Sequence, residues 1–349
     1  MVFPKEDFNK ASVKDADMNK GLLADMFDRI ENEKINIHSM ICLKDGSRVF
    51  RASAHDFTED TKENVYSVSK SFTSVAIGIL TDMKLINLDD YVLYFFSKDV
   101  SDYLPEYEAL KIKHLLTMSS GQERDIFMEL TPNDDIFEKF FNVPLTSKPG
   151  EVFAYHNMCT FMLSAIVTKV TGRSLNDFLN EYLYQYIGME KPEWNQVNNI
   201  NFGATGLQIS TNDMARFGLL LLNEGNWDGK QIVSKEYLAE ATKKQIDTGE
   251  DFKPTDSYGY GYQFWINGFG DYRCAGMFEQ YIIINKKWNL VFVMTAYEER
   301  NLIDLYENHV LKAAEEGYRY AAYSLRDWIR NFKVYSRELV EEEKEKRVQ

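Results

Sequence analysis

The placement of β-prone runs constrains this 349-residue chain more than any other feature. Two lie close to the N-terminus, Ile35 to Leu43 and Ser47 to Ala54, on either side of Lys44-Asp45-Gly46. Asp-Gly between two such runs is a strong hairpin signal, because the tight turn needs positive φ at both central residues. Two more, Tyr281 to Asn285 and Asn289 to Ala296, flank Lys286-Lys287-Trp288 near the other end. A stretch from Tyr258 to Phe269 that alternates glycine with aromatics precedes them. Between the two sets the pattern is mostly helices and loops. Lys111 to Met118 is short and apolar, and Met158 to Val170 is a buried run closed by Thr171-Gly172 in a C-cap position. Leu175 to Tyr186 ends near Gly188, and Thr211-Asn212-Asp213 opens a leucine-rich helix, Met214 to Leu222. Lys20 to Glu33 carries Leu22, Leu23, Met26, Phe27 and Ile30 at helical spacing, and another helix starts near Leu302. The expected fold is therefore α+β: an antiparallel sheet assembled from both termini and flanked by terminal helices, with a mainly helical domain inserted. Residues 1–88 and 245–349 form the first unit and 89–244 the second, with a ligand cleft expected between them. No internal repeat is present, and the tail from Arg337, rich in Glu, Lys and Arg, reads as a solvated helix end or a disordered extension.

Composition sets limits. Hydrophobic residues at 44% and aromatics at 14% are enough for a sizeable core. A formal net charge of -14 argues against sequence-independent binding to nucleic acid or anionic lipid, though a local positive pocket can sit in an acidic protein. Cys42, Cys159 and Cys274 are odd in number and scattered, which fits neither a disulfide framework nor a zinc motif and points to a reduced compartment. Met1 to Phe8 is charged, and no apolar run reaches membrane-spanning length. A cytoplasmic location is the expectation; a periplasmic or secreted one goes with a signal peptide removed beforehand. No metal-ligand cluster, phosphate loop or Gly-x-Ser-x-Gly elbow stands out among the residues around the five histidines or elsewhere, so no cofactor and no metal is expected.

Ser67-Val68-Ser69-Lys70 opens a segment carrying Val68, Phe72, Val75, Ala76, Ile79 and Leu80 at helical spacing. Residues three apart share one face of a helical turn. A serine hydroxyl is a poor nucleophile at neutral pH without a base beside it, and a lysine kept partly neutral by its surroundings can be that base. The helix N-terminus favours negative charge growing nearby. By itself Ser-x-x-Lys arises about once by chance in a chain with this much Ser and Lys, and a plain helix start with Ser67 or Ser69 as N-cap is the alternative. Tyr155-His156-Asn157 follows the Pro149-Gly150 turn and precedes a buried helix, a setting that presents side chains to a cleft. The tyrosine can relay a proton and the asparagine can orient an amide. A second Tyr-x-Asn at Tyr306-Glu307-Asn308 lies inside the C-terminal helix pattern, and His156 reads as a loop residue pointing away from the cleft.

In this order the segments resemble the serine β-lactamase and penicillin-binding protein superfamily, in particular the branch of class C β-lactamases, D-Ala-D-Ala carboxypeptidases and family VIII esterases. Ser67-Val68-Ser69-Lys70-Ser71-Phe72-Thr73 matches the nucleophile motif, and Lys113 to Gly121 resembles the segment ending in Ser-Gly. Pro149 to Asn157 resembles the segment carrying Tyr-x-Asn; Gly203 to Leu207 with Ser210 to Phe217, Gly259 to Tyr262 and Gly276 to Tyr281 fit the later segments. The likeness spans residues 20 to 300 and implies a β-lactamase/transpeptidase-like fold, a small-molecule or peptide-like substrate and bacterial kin. It further implies that Ser67 forms an acyl-enzyme, Lys70 takes its proton and Tyr155 assists as general base or acid. Asn157 would orient a substrate amide or support Lys70, and the backbone N–H groups of Ser67 and Met277 would form the oxyanion hole.

The departure from that pattern is at the third motif. Where the family has Lys or His, then Ser or Thr, then Gly, this chain has Cys274-Ala275-Gly276. The cation and hydroxyl that would meet a substrate carboxylate are replaced, which puts antibiotic and peptidoglycan specificity in doubt while leaving the chemistry. Arg273 carries a charge, but strand alternation points it to the face opposite Cys274. By the resemblance, Cys274, Ala275, Gly276 and Met277 count with Asn157 among the substrate-binding residues; as to reactivity, Cys274 reads as a buried strand thiol and not as a nucleophile. The leading expectation is a serine hydrolase acting on an ester or amide. A true β-lactamase or carboxypeptidase, and a non-catalytic ligand-binding module on the same fold, are the alternatives. Oligomeric state is not legible. The hydrolase reading requires the Ser67 hydroxyl, the Lys70 amine and the Tyr155 phenol to meet at one crevice.

Overall fold

A computed structural model of the chain describes residues 3–4, 7–131, 134–249, 258–268 and 270–319, together with 325 and 329. The tail from Arg337 lies outside the described residues. The first hairpin joins β1 (Ile37–Lys44) to β2 (Ser47–Ser53), with Asp45 at φ 52° and Gly46 at φ 79°, the paired left-handed turn its sequence demands. Four further strands come from the other end: β3 (Trp265–Ile266), β4 (Tyr272–Gly276), β5 (Gln280–Asn285) and β6 (Leu290–Ala296). All pair antiparallel, in the order β3-β4-β5-β6-β1-β2. The β1–β6 seam, Ile41 opposite Val293 and Cys42 opposite Phe292, closes the sheet across the whole length of the chain.

Both faces of this sheet are covered, so β6 (LVFVMTA) is buried along its full length instead of alternating with polar residues. Ile41, Leu43, Ile282, Ile284, Val291 and Val293 face the main helical core. Met40, Cys42, Ile283, Phe292 and Met294 face the terminal helices. Those are α1 (Lys20–Glu33), capped by Asn19 Oδ1, and one continuous helical run from Ile303 to Glu316 whose middle, Tyr306–Leu311, is wound as a π-helix. The backbone N–H of Asn19 donates to Ala313 O at 2.8 Å and ties the two together. Tyr306 is fully buried in this layer, and its hydroxyl donates to Asp271 Oδ2, so the second Tyr-x-Asn belongs to packing on the far face of the sheet.

On the near face α2 (Ser69–Asp82) packs against α3 (Asn157–Thr171), which ends as expected on left-handed Gly172. The helix α4 (Thr211–Leu222), closed by a Ser210–Asp213 capping box, lies flat on β5 and β6. A Cβ on Gly218 would sit 2.6 Å from Val291 Cγ1, so the helix can approach the sheet this closely only with glycine there. Phe72 of α2 stacks on Phe217 of α4 with ring centroids 3.8 Å apart, carrying the position of the sheet through to α2. Buried Gln263 then locks α2 and α3 to the strand side: its carbonyl accepts from Ser71 Oγ at 2.8 Å and its Oε1 from Thr160 Oγ1 at 2.6 Å. Among the described residues no helix is long and apolar enough to cross a membrane.

Candidate active site

Ser67 does not open the long helix. It sits in a short 3-10 turn, Tyr66–Val68, directly ahead of α2, and no side chain caps that helix. Tyr66 has φ 46°, a left-handed conformation that costs a non-glycine residue roughly 1–2 kcal/mol. The turn is held from several sides: Tyr66 N–H donates to Asn64 Oδ1 at 3.0 Å, Ser69 Oγ donates to Tyr66 O at 2.5 Å, and Val65 N–H donates to Leu207 O at 3.0 Å. Gly276 at the end of β4 comes so close that a Cβ there would lie 2.3 Å from Val65 O. The Ser67 turn is thus wedged between a strand end and the chain at residue 207, which leaves Ser67 half-buried at the mouth of a cavity of about 410 Å³.

Lys70, one turn on, is 1% exposed. Its Nζ lies 2.9 Å from Ser67 Oγ, 2.8 Å from Asn157 Oδ1 and 2.9 Å from Ala204 O. Burial penalises the ammonium and lowers its pKa from 10.5 to about 7; the charge of Asp125 and the Cys159 thiol oppose the shift and do not cancel it. An amine at that value is available as a base near neutral pH. Tyr155 completes the group through its ring: Lys70 Nζ is 4.9 Å from the ring centroid. The ring is fixed by stacking on Trp265 (5.4 Å) and by the edge of Tyr260 (6.1 Å). Ser67 Oγ, Asn157 Oδ1 and the face of the Tyr155 ring thus all lie around Lys70 Nζ.

Two contributors were not visible in the sequence. Ala204 supplies only a carbonyl, so its side chain gives no hint; what marked the segment was Gly203, at φ 66°, where a Cβ would sit 3.0 Å from Ser164 Cβ and Thr160 O on α3. Asp125 lies in a loop far from either motif. Its Oδ2 accepts from the Asn157 backbone N–H at 2.7 Å and from Asn157 Nδ2 at 2.9 Å, and its Oδ1 accepts from Met158 N–H at 3.2 Å. It caps α3 from a distance, in place of His156, which makes no side-chain cap bond.

The third-motif strand divides. Ala275, Gly276 and Met277 line the same cavity as Ser67 and Tyr155, with Met277 exposed at its rim. Cys274, expected among the substrate-facing residues, is not there: it is 1% exposed in the near-face core beside Ser71, and burial pushes its thiol up to about 12. The reason is strand alternation, and the cavity opens on the other face. Arg273 lies on that face and lines the cavity, with its guanidinium 5.8 Å from the Trp265 ring and a hydrogen bond to Asn267 Oδ1. Three carboxylates, Glu279, Glu298 and Glu299, line it as well. Among the described residues no group of three or more His, Cys, Asp or Glu is placed to hold a metal ion.

The Beta-lactamase family profile matches residues 27–311. An uncharacterized protein of Alkalihalophilus pseudofirmus is 26% identical over 226 residues, 59% of this chain and 62% of that protein. Protein flp of Staphylococcus aureus is 27% identical over 175 residues, 48% of this chain and 34% of its own length. The matched part is thus between a third and two-thirds of these relatives. Solved structures share the fold at low identity. One is a Bacillus anthracis protein with a proposed 6-aminohexanoate-dimer hydrolase activity (TM-score 0.72, 22% identity, covering 89% of this chain and 87% of that one). Others are a family VIII carboxylesterase (0.69, 15%, 87% and 99%) and the octameric penicillin-binding protein homologue of Pyrococcus abyssi (0.68, 22%, 84% and 77%). The antiparallel sheet, the helices on both its faces and the profile match over most of the sequence lead to one statement: this chain belongs to the beta-lactamase family, with the β-lactamase/transpeptidase fold.

Proposed function

We propose that the chain is a serine hydrolase that cleaves an ester or amide through an acyl-enzyme on Ser67. The observation that carries this reading is the Lys70 amine, buried, held 2.9 Å from Ser67 Oγ and lowered to about 7. Ser67 Oγ attacks the carbonyl carbon as its proton passes to Lys70 Nζ. The oxyanion is met by the N–H groups of Ser67 and Met277, both on the cavity wall, which bind it more strongly than the ground-state carbonyl. Collapse expels an alcohol or amine that takes a proton from the Lys70–Tyr155 pair, and water, deprotonated by the same pair, releases the acid and restores Ser67. Asn157 holds Lys70 through its Oδ1 and is not among the residues that line the cavity.

The walls bear on the substrate class. Ala275 stands where a hydroxyl would meet a carboxylate, and Glu279, Glu298 and Glu299 repel one. A neutral or cationic ester or amide fits these walls better than a β-lactam or a D-Ala-D-Ala peptide. Arg273 on the same wall is the observation that favours the second reading, a β-lactamase or carboxypeptidase acting on a carboxylate-bearing substrate. Incubation with a fluorophosphonate and with a penicillin, followed by intact-mass and peptide mass spectrometry, tests both. An adduct on Ser67 that is absent in Ser67→Ala is expected with the fluorophosphonate. No adduct with any acylating probe would leave a non-catalytic binding module as the reading.

A further inference from the structure

A neutral lysine amine has two N–H donors and one lone pair, and it serves as base for Ser67 only if the lone pair points at the serine hydroxyl. Around Lys70 that direction is set by its other two neighbours. Asn157 Oδ1 and Ala204 O are both acceptors, at 2.8 and 2.9 Å, so they take the two N–H groups and leave the lone pair for Ser67 Oγ at 2.9 Å. Ala204 O is a backbone carbonyl and has no alternative identity. Asn157 does: its amide, turned by half a rotation, would offer Nδ2, a donor, and draw the lone pair away from the serine. Asparagine by itself does not choose between the two faces.

We propose that Asp125 is the positioning residue that makes this choice, holding the Asn157 amide with its oxygen toward Lys70. This rests on the serine-hydrolase reading given above. A carboxylate only accepts hydrogen bonds, so whichever end of the Asn157 amide faces Asp125 must be the NH2 end. The carboxylate is itself fully committed. Oδ2 takes the Asn157 backbone N–H (2.7 Å) and Nδ2 (2.9 Å), while Oδ1 takes the N–H groups of Met158 (3.2 Å) and Phe127 (3.2 Å). Three of these four donors belong to residues 157 and 158, at the start of α3, where a helix has unsatisfied N–H groups and favours negative charge. Turning the amide would set Asn157 Oδ1 against Asp125 Oδ2, two acceptors with no proton between them. Asp125 never touches substrate; it acts through Asn157. The groups that face Lys70 from the packed elements are Ser67 and Tyr155, Asn157 and Cys159 of α3, Ala204 of the following loop, and Asp125 behind Asn157.

The test measures phosphonylation of Ser67 by a fluorophosphonate, with loss of fluoride, as the surrogate for acylation, against pH in the full chain, with thermal unfolding and the fraction of labelled enzyme recorded for each variant. Asp125→Asn lets position 125 donate, so Asn157 can turn. The maximal acylation rate is expected to fall about 10- to 100-fold with the probe concentration for half-maximal rate little changed. Its acid limb is expected to move to lower pH, because the negative charge that favours protonated Lys70 is gone. Asp125→Glu keeps the carboxylate and is expected to recover a large part of the rate. If Asp125 works through Asn157, its substitution adds less than twofold in an Asn157→Ala background. Should Asp125→Asn unfold, the comparison of Asp125→Glu and Asp125→Ala within that background decides the matter. A rate and limb equal to wild type in Asp125→Asn, or full additivity with Asn157→Ala, overturns the proposal while the acylation reading stands. A wild-type chain that labels at no pH overturns the reading on which the proposal rests.

Discussion

The pH at which Ser67 becomes reactive is the most direct readout of the site. Lys70 is lowered from 10.5 to about 7, with burial as the largest cause. A lysine near 10.4 is neutral in only about 0.04% of molecules at pH 7, whereas one at about 7 is neutral in about half, roughly a thousandfold gain in competent base. The sign follows: the protonated amine cannot accept the serine proton, so acylation is low below the folded pKa and rises through it. Between pH 6 and pH 8 the neutral fraction grows from about a tenth to about nine-tenths, so the rate should rise about tenfold and then level off. Rapid-quench labelling with a fluorophosphonate, whose own reactivity carries no titrating group in this range, isolates that limb. Lys70→Arg, whose guanidinium stays charged, should abolish it and lower labelling at pH 8 by at least about a hundredfold. A limb above pH 9, or a rate flat from pH 6 to 8 while Lys70→Arg remains active, would refute the assignment of Lys70 as base.

Gly276→Ala places a Cβ 2.3 Å from Val65 O, a backbone atom of the Ser67 turn. It should lower stability by about 1–3 kcal/mol in chemical denaturation and cut Ser67 labelling at least tenfold; unchanged labelling would show that the turn is set elsewhere. Cys274→Lys buries an ammonium in the near-face core and should cost about 3–5 kcal/mol without creating nitrocefin turnover. Turnover gained by that variant would mean that the side chain at 274 reaches the cavity. Ala275→Thr adds a hydroxyl to the cavity wall and should lower KM for carboxylate-bearing esters about 3- to 10-fold relative to neutral ones, as a steady-state comparison of the two substrate classes would reveal.

Local signals in the sequence were strong wherever the backbone itself makes a demand. Asp45-Gly46, Gly172 and Gly188 each stand where a left-handed residue ends an element, and α4 opens at Thr211, as Thr211-Asn212-Asp213 indicates, with Ser210 as the cap that reading left out. The closure of the sheet from both termini was legible too, because strands at the ends of a chain with helices between have few other partners. Ser67 was misplaced by a few residues, from the helix to the 3-10 turn before it. The left-handed Tyr66 that bends the chain there is a tertiary effect, imposed by Asn64, Ser69 and Leu207, and no residue type announces it. At the third motif alternation correctly separated Arg273 from Cys274, but parity cannot say which face a cavity will take, and the structure opens it on the Arg273 side. The helix at 211–222, counted with the helical insertion, lies on the sheet because Gly218 lets it, a property of volume and not of periodicity. Asp125 gave no sign of its place in the site because Phe127 N–H is only a local turn contact, while Asn157 and Met158 are 32 and 33 positions away.

The groups around the Lys70 amine come from segments far apart along the chain. Lys70 reaches acceptors 87 and 134 positions downstream, on α3 and on the loop ahead of α4. Until both are in place its amine is solvated and charged, so the reactive serine appears only with the complete fold. The same burial runs against stability. Because the folded pKa of Lys70 is lowered to about 7, the unfolded chain holds that proton more tightly over the interval up to about 10.5. The destabilisation is therefore full below the folded value and is relieved as pH rises toward the unfolded one. A structure that keeps a lysine here, with a backbone carbonyl and a side-chain amide oxygen turned to receive it, gives up stability at neutral pH. That trade is the one the proposed base requires, since Leu or Met at position 70 would fill the same space without carrying a charge into the core.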